Sequence, residues 1–276
     1  MFKWYGISGI ILILFVEVNF FLKIEPYASR YFIIVWLGYI LVVDALIYKL
    51  RKKSLLKNNP YKLAGIFLLS MIFWWIFEFI NLRVGNWSYN ASDRTAILIN
   101  LAWKTIYYST LLPAFFETYE LIRCIHLFDK VKLHKKHKIT KHFLYTMMFI
   151  GFVTFILPLL FPNYFYPLIW LTFFFLLDPI NYLHKKPSII GHLKDKKLAV
   201  PLSLLLAGIT IGFLWEFWNY WAVTKWHYKI PFLDFFRIFE MPILGYLGYF
   251  PFAFELYAMY FFVESLFQKK EDLYLK

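Results

Sequence analysis

One cysteine, Cys124, is all the thiol chemistry this chain has. An intramolecular disulfide and a cysteine-built metal centre are thereby excluded. Charge is scarce too, at 17% of the residues, and 17 acidic side chains face 30 lysines and arginines. The sequence lacks a glycine-rich phosphate loop, a Gly-x-Ser-x-Gly elbow and a His-Glu-x-x-His pair, so nucleotide binding, serine hydrolysis and zinc proteolysis have no signature here. Its histidines, His126, His134, His137, His142, His184, His192 and His227, fall at helix ends or in basic loops. His134-x-x-His137 alone is short of the clustered histidines of a membrane di-iron oxygenase. No cofactor and no metal are expected.

What is abundant is apolar surface. The 276 residues are 61% hydrophobic and 24% aromatic, with a mean hydropathy of +0.56. These values belong to an integral membrane protein. The apolar runs have the length of spanning helices, not the roughly ten-residue alternation of a barrel, so the expected class is all-α. About eight transmembrane helices are expected, over 6–22, 32–49, 63–83, 97–124, 143–161, 165–183, 198–221 and 242–266. The first run follows Lys3 but contains Glu17 and no clear cleavage site, so it reads as a retained helix. The lysine-rich segments 49–62, 129–142, 184–197 and the tail alternate with loops sparse in charge. The positive-inside rule then puts both termini in the cytoplasm of a multi-pass protein of the cell's inner (plasma) membrane. Anionic lipids, not nucleic acid, are the expected partners of the basic loops. Oligomeric state is not legible.

A duplication organises the chain. Trp36, Asp44, Tyr48, Lys52 and Ser54 recur without a gap as Trp170, Asp178, Tyr182, Lys186 and Ser188. Glu78, Asn81, Trp87 and Tyr89 recur as Glu216, Asn219, Trp226 and Tyr228; Pro113, Phe116, Glu117 and Tyr119 recur as Pro251, Phe254, Glu255 and Tyr257. Two four-helix repeats follow, 1–126 and 143–276, joined by a basic linker over 127–142. Because each has an even number of spans, the repeats are parallel and related by an axis along the membrane normal. The natural site lies between them.

Ionisable groups inside a membrane are expensive and mark function by default. Glu78 with Asn81, and Glu216 with Asn219, are three residues apart and share a helix face. Desolvation disfavours a charged carboxylate, so Glu78, Glu117, Glu216 and Glu255 are candidate proton donors. Asn81, Asn219, Trp75, Trp215, Trp218, Tyr119 and Tyr257 are candidate substrate contacts, the aromatic faces being suited to a carbocation. Each has a plainer reading. The asparagines fit interhelical hydrogen bonds, Asp44 and Asp178 fit helix-end roles, and the aromatics fit an interfacial belt or packing. Gly245 and Gly248 read as helix-packing residues.

The order Trp215, Glu216, Asn219, Tyr220, Trp226, Tyr228, then Gly248, Tyr249, Pro251 and Glu255, with a similar order in the first half, resembles the membrane-embedded lycopene cyclase domain of the heterodimeric or fused type. That family is itself a duplicated helical unit of carotenoid biosynthesis. The resemblance covers about half the chain, mainly the third, fourth, seventh and eighth spans. It implies a cyclase-like isomerase in which Glu117 and Glu255 replace the family's acid pair and Glu78 and Glu216 its earlier acid. The expected function is acid-initiated cyclisation, or related alkene chemistry, on a carotenoid-like or isoprenoid lipid. A proton-coupled or small-solute transporter, and a scaffold held by its polar pairs, stay open beside it.

Overall fold

The computed structural model describes residues 2–89, 97–135 and 138–267, with backbone alone at 97–99. His137 and the basic tail beyond Phe267 lie outside the described residues. Described helices begin with α1 (Trp4–Phe21), α2 (Tyr31–Arg51), the short α3 (Leu55–Asn58) and α4 (Pro60–Val84). Strand β1 (Trp87–Tyr89) precedes α5 (Ile97–Tyr108) and α6 (Leu111–Cys124). Next come α7 (Lys141–Leu160), short α8 (Pro162–Phe165), a 3-10 turn over Tyr166–Leu168, α9 (Ile169–Leu183), short α10 (Ile189–Lys194) and α11 (Ala199–Trp221). Strands β2 (Trp226–Tyr228), β3 (Arg237–Ile238) and β4 (Met241–Pro242), a 3-10 stretch over Ile243–Gly248 and α12 (Tyr249–Phe267) complete the described chain.

This is an all-α, multi-pass membrane protein. Seven helices among the described residues are long and apolar enough to cross a membrane. The expected span over 97–124 is not one helix: it breaks at Ser109–Thr110 into α5 and α6. The cause is local. Ser109 and Thr110 turn their hydroxyls back onto the carbonyls of Ile106 and Tyr107, 2.6 and 2.9 Å away, offering the backbone an alternative to helical continuation.

Terminal signals explain the other boundaries. Asn59 accepts the Lys62 amide at the start of α4, with Pro60 in the first turn where its missing N–H costs nothing. Gly85, at φ 69°, closes that helix in the left-handed region that glycine enters freely. Asp44 and Asp178 have the helix-end role. Asp44 accepts the Leu56 amide at 2.8 Å and the Tyr5 hydroxyl at 2.7 Å. Asp178 accepts the amides of Ile189 and Ile190 at 2.7 and 2.9 Å. Each aspartate thus satisfies the N-terminus of the short helix that follows it, beside a capping Ser54 or Ser188.

The contacts repeat with the elements: α1 lies along α2 as α7 lies along α9, and α6 packs on α2 as α12 packs on α9. At the centre, α11 packs against both α6 and α12. Strands β1 and β2 form an antiparallel ribbon with Trp87 opposite Tyr228, Ser88 opposite His227 and Tyr89 opposite Trp226. Ser88 and His227 are repeat-equivalent, and the pairs on either side of them exchange under a local two-fold axis through that point. Trp36 and Trp170 cross to the opposite half. Trp36 meets Trp218 edge to face at 4.7 Å, and Trp170 stacks on Trp87 at 5.9 Å.

Candidate functional site

The site grows out of the ribbon. Asn81 donates to the Trp87 carbonyl at 2.8 Å and accepts the amides of Asn86 and Trp87 at 2.8 and 3.3 Å. Asn219 donates to the Trp226 carbonyl at 3.0 Å and accepts the Trp226 amide at 2.9 Å. Both asparagines satisfy backbone groups, fixing each strand against the end of its own helix. They position the site rather than line it.

One turn earlier on each helix stands a carboxyl. Glu78 Oε1 accepts the Trp87 indole N–H at 3.0 Å and the Tyr89 hydroxyl at 2.5 Å, and the Tyr108 hydroxyl reaches Tyr89 at 3.3 Å. Glu216, fully buried, accepts two hydroxyls on the same Oε1, from Tyr228 at 2.7 Å and from Tyr249 at 2.6 Å. Its other oxygen has no hydrogen-bond partner among the described residues.

Two cavities flank the ribbon. The larger, about 310 Å³, is walled by Trp74, Trp87, Trp170, Trp215 and Trp226, with Tyr166, Tyr228 and Tyr249 among its other aromatic lining residues. The smaller, about 80 Å³, is lined by Phe32, Trp36, Trp103, Tyr107 and Tyr108, together with Arg30 and Lys104. Trp74, Tyr89, Trp215 and Trp226 line both. The two are repeat-equivalent, since Trp36 and Phe32 on one side match Trp170 and Tyr166 on the other. Their difference in size follows the sequence. Where the first half has Trp103, Tyr107 and Thr110, the second has Met241, Gly245 and Gly248, and a methyl group added at Gly248 would meet no atom closer than Trp170 at 4.0 Å. Gly248 opens the cavity, which corrects its reading as a helix-packing residue, whereas a methyl group at Gly245 would meet the Met241 side chain.

Of the expected site residues, Trp215 lines both cavities, while Glu78 and Glu216 stand behind tyrosines that face the larger one. The others lie elsewhere. Trp75 donates to Thr105 at 3.1 Å on α5, and Trp218 packs on Trp36. Glu117 is fully buried on α6 with both oxygens unpartnered among the described residues. Glu255 accepts the Phe173 amide at 2.8 Å, its second oxygen also unpartnered. The Tyr257 hydroxyl lies 2.9 Å from His192 Nε2 on α10, and that of Tyr119 is buried near Arg123. None of these residues lines either cavity.

Of the residues lining the larger cavity, sequence reasoning missed Tyr166 and Met241 and had Trp170 and Tyr249 only as repeat and motif residues. The signal that finds it is the difference between the repeats, large side chains in one copy and glycines in the other. Compared with known proteins, the chain matches no family model, no curated protein and no solved structure.

Proposed function

We propose that this protein is a membrane enzyme carrying out acid-initiated cyclisation, or a related double-bond rearrangement, on an isoprenoid lipid of carotenoid-like character. The observation that carries the reading is the pair of hydroxyls, Tyr228 and Tyr249, both on the buried Glu216 and both facing a cavity whose wall is otherwise largely apolar and includes five tryptophans. Glu216 supplies a proton, and one of the two hydroxyls relays it to an alkene carbon. The π electrons form the new C–H bond and leave a cation on the neighbouring carbon. Indole faces of Trp74, Trp170 and Trp215 stabilise that cation without offering a nucleophile. A proton lost from an adjacent carbon returns through the hydroxyl to the Glu216 carboxylate, so isomerisation consumes no second reactant. In this reading both termini are cytoplasmic, the membrane is the cell's inner one, and the basic loops rest on anionic lipid.

A second reading, proton-coupled transport, is favoured by Glu117, whose unpartnered carboxyl is buried on α6 away from both cavities. Lipid-extract mass spectrometry separates the two. In a lycopene-producing host, the wild-type chain yields an isomeric carotenoid that Glu216→Gln abolishes and Glu255→Gln retains. Unchanged carotenoids in a well-expressed sample would remove this substrate class.

A further inference from the structure

We infer that the smaller cavity receives the anionic headgroup of a lipid, a phosphate monoester in the first instance, between Arg30 and Lys104. Arg30 stands at the start of α2 with its guanidinium 3.8 Å over the Trp103 ring, donating to the Tyr107 hydroxyl at 3.2 Å. Lys104 lies 4.4 Å from the centre of the Tyr89 ring. Both line the cavity. Neither has a carboxylate partner among the described residues, whereas Arg51, Arg123 and Arg237 hold Glu120, Asp129 and Asp234. Lys62 and Lys225 likewise hold Glu264 and Glu240.

The two cations therefore place their charge on aromatic faces and one phenol, leaving guanidinium and ammonium hydrogens for an acceptor that the described residues do not supply. The N-terminal end of α2 adds partial positive charge at the same place. A phosphate suits this set, since guanidinium binds it through paired hydrogen bonds and ammonium as a point charge. The repeat comparison gives the feature its direction: Tyr164 and Pro242 stand in the second half where Arg30 and Lys104 stand in the first. A role in packing common to both halves would not need charge in only one. The remaining wall is largely aromatic, with Phe32, Trp36, Trp74 and Trp103, and includes Asn100, Thr110 and Thr224, which suits a polar head that arrives attached to an apolar chain rather than a free ion.

This inference concerns binding and stands apart from the chemistry proposed above. Purified full-length protein in phosphatidylcholine nanodiscs is titrated with farnesyl phosphate, farnesol and inorganic phosphate, using tryptophan fluorescence as the readout. Farnesyl phosphate is expected to bind saturably, and Arg30→Gln and Lys104→Gln each to weaken it about tenfold or more, the loss of one charge-assisted contact. Farnesol binding is expected to change little in these variants. Arg30→Lys, which keeps the charge, should retain more affinity than Arg30→Gln, and Lys141→Gln on α7 should match wild type. Equal losses for farnesol and farnesyl phosphate, or no loss for either, would overturn a headgroup site. Inorganic phosphate competing as well as the lipid would overturn the lipid and leave a free-anion site. Intact binding with no turnover would leave this inference standing and count against the proposed reaction alone.

Discussion

Ser88 lies opposite His227 in the two-stranded ribbon, and the two residues occupy the same place in their respective halves. The ribbon is therefore symmetric in its backbone, while its side chains depart from equivalence, as where His227 meets Glu240.

Glu216 is the acid of the proposed reaction, so Glu216→Gln should lower product formation by about two orders of magnitude or more, in the range expected for loss of a general acid. Tyr228→Phe and Tyr249→Phe each leave one relay hydroxyl, so each alone should cost less than the pair. Product yield per folded protein, from lipid extracts, checks the order.

Gly248 gives the larger cavity its volume. Gly248→Leu should abolish binding of an apolar ligand while moving the melting temperature little, because the added atoms enter open space. Titration with farnesol, alongside thermal unfolding, distinguishes a filled cavity from a damaged fold.

Asn81 and Asn219 hold the ribbon to the helices. Replacing either by Ala leaves backbone groups of β1 or β2 without their partners and should cost about 1–3 kcal/mol of stability. Solvent uptake at residues 86–89 or 226–229, followed by hydrogen exchange, should rise in the altered half first.

His192 titrates in a window set by its surroundings. Burial, and next the neighbouring Lys197, push it down to about 4, with Asp195 opposing and Arg123 adding to the decrease. Between the ordinary value of 6.5 and 4 the unfolded chain binds more protons at this group than the folded one does. Stability is thus lost as pH falls through that interval and is insensitive to this group above it. Melting temperatures measured from pH 8 to pH 4 should decline below pH 6.5, and His192→Gln, able to keep a hydrogen bond to Tyr257, should flatten the decline.

The sequence announced its helices because spans such as α2 and α4 are long, apolar and bounded by Lys, Asn and Gly at their ends. The equivalence of Asp44 with Asp178 is visible as identity, and the helix-end role follows from their place near the ends of apolar runs. The break between α5 and α6 was marked in the sequence by Pro113, which has no N–H for the Ser109 carbonyl, yet the apolar run continues across it and reads as one span. Polar residues in apolar runs identified Glu78 and Glu216 but equally Glu117 and Glu255. Spacing along one helix says which face a carboxyl shares, not which neighbouring helix covers that face, and here α2 and α9 cover the second pair.

The ribbon has one more consequence, for how such a chain is assembled. A contact in which the same surface meets itself about a two-fold axis is the isologous contact of a homodimer. Here it is made inside one polypeptide, and the linker that joins the halves touches the body through Leu133 and the Lys196 carbonyl. Severing the chain within that linker should leave two fragments that recognise each other through β1 and β2 and co-purify when expressed together.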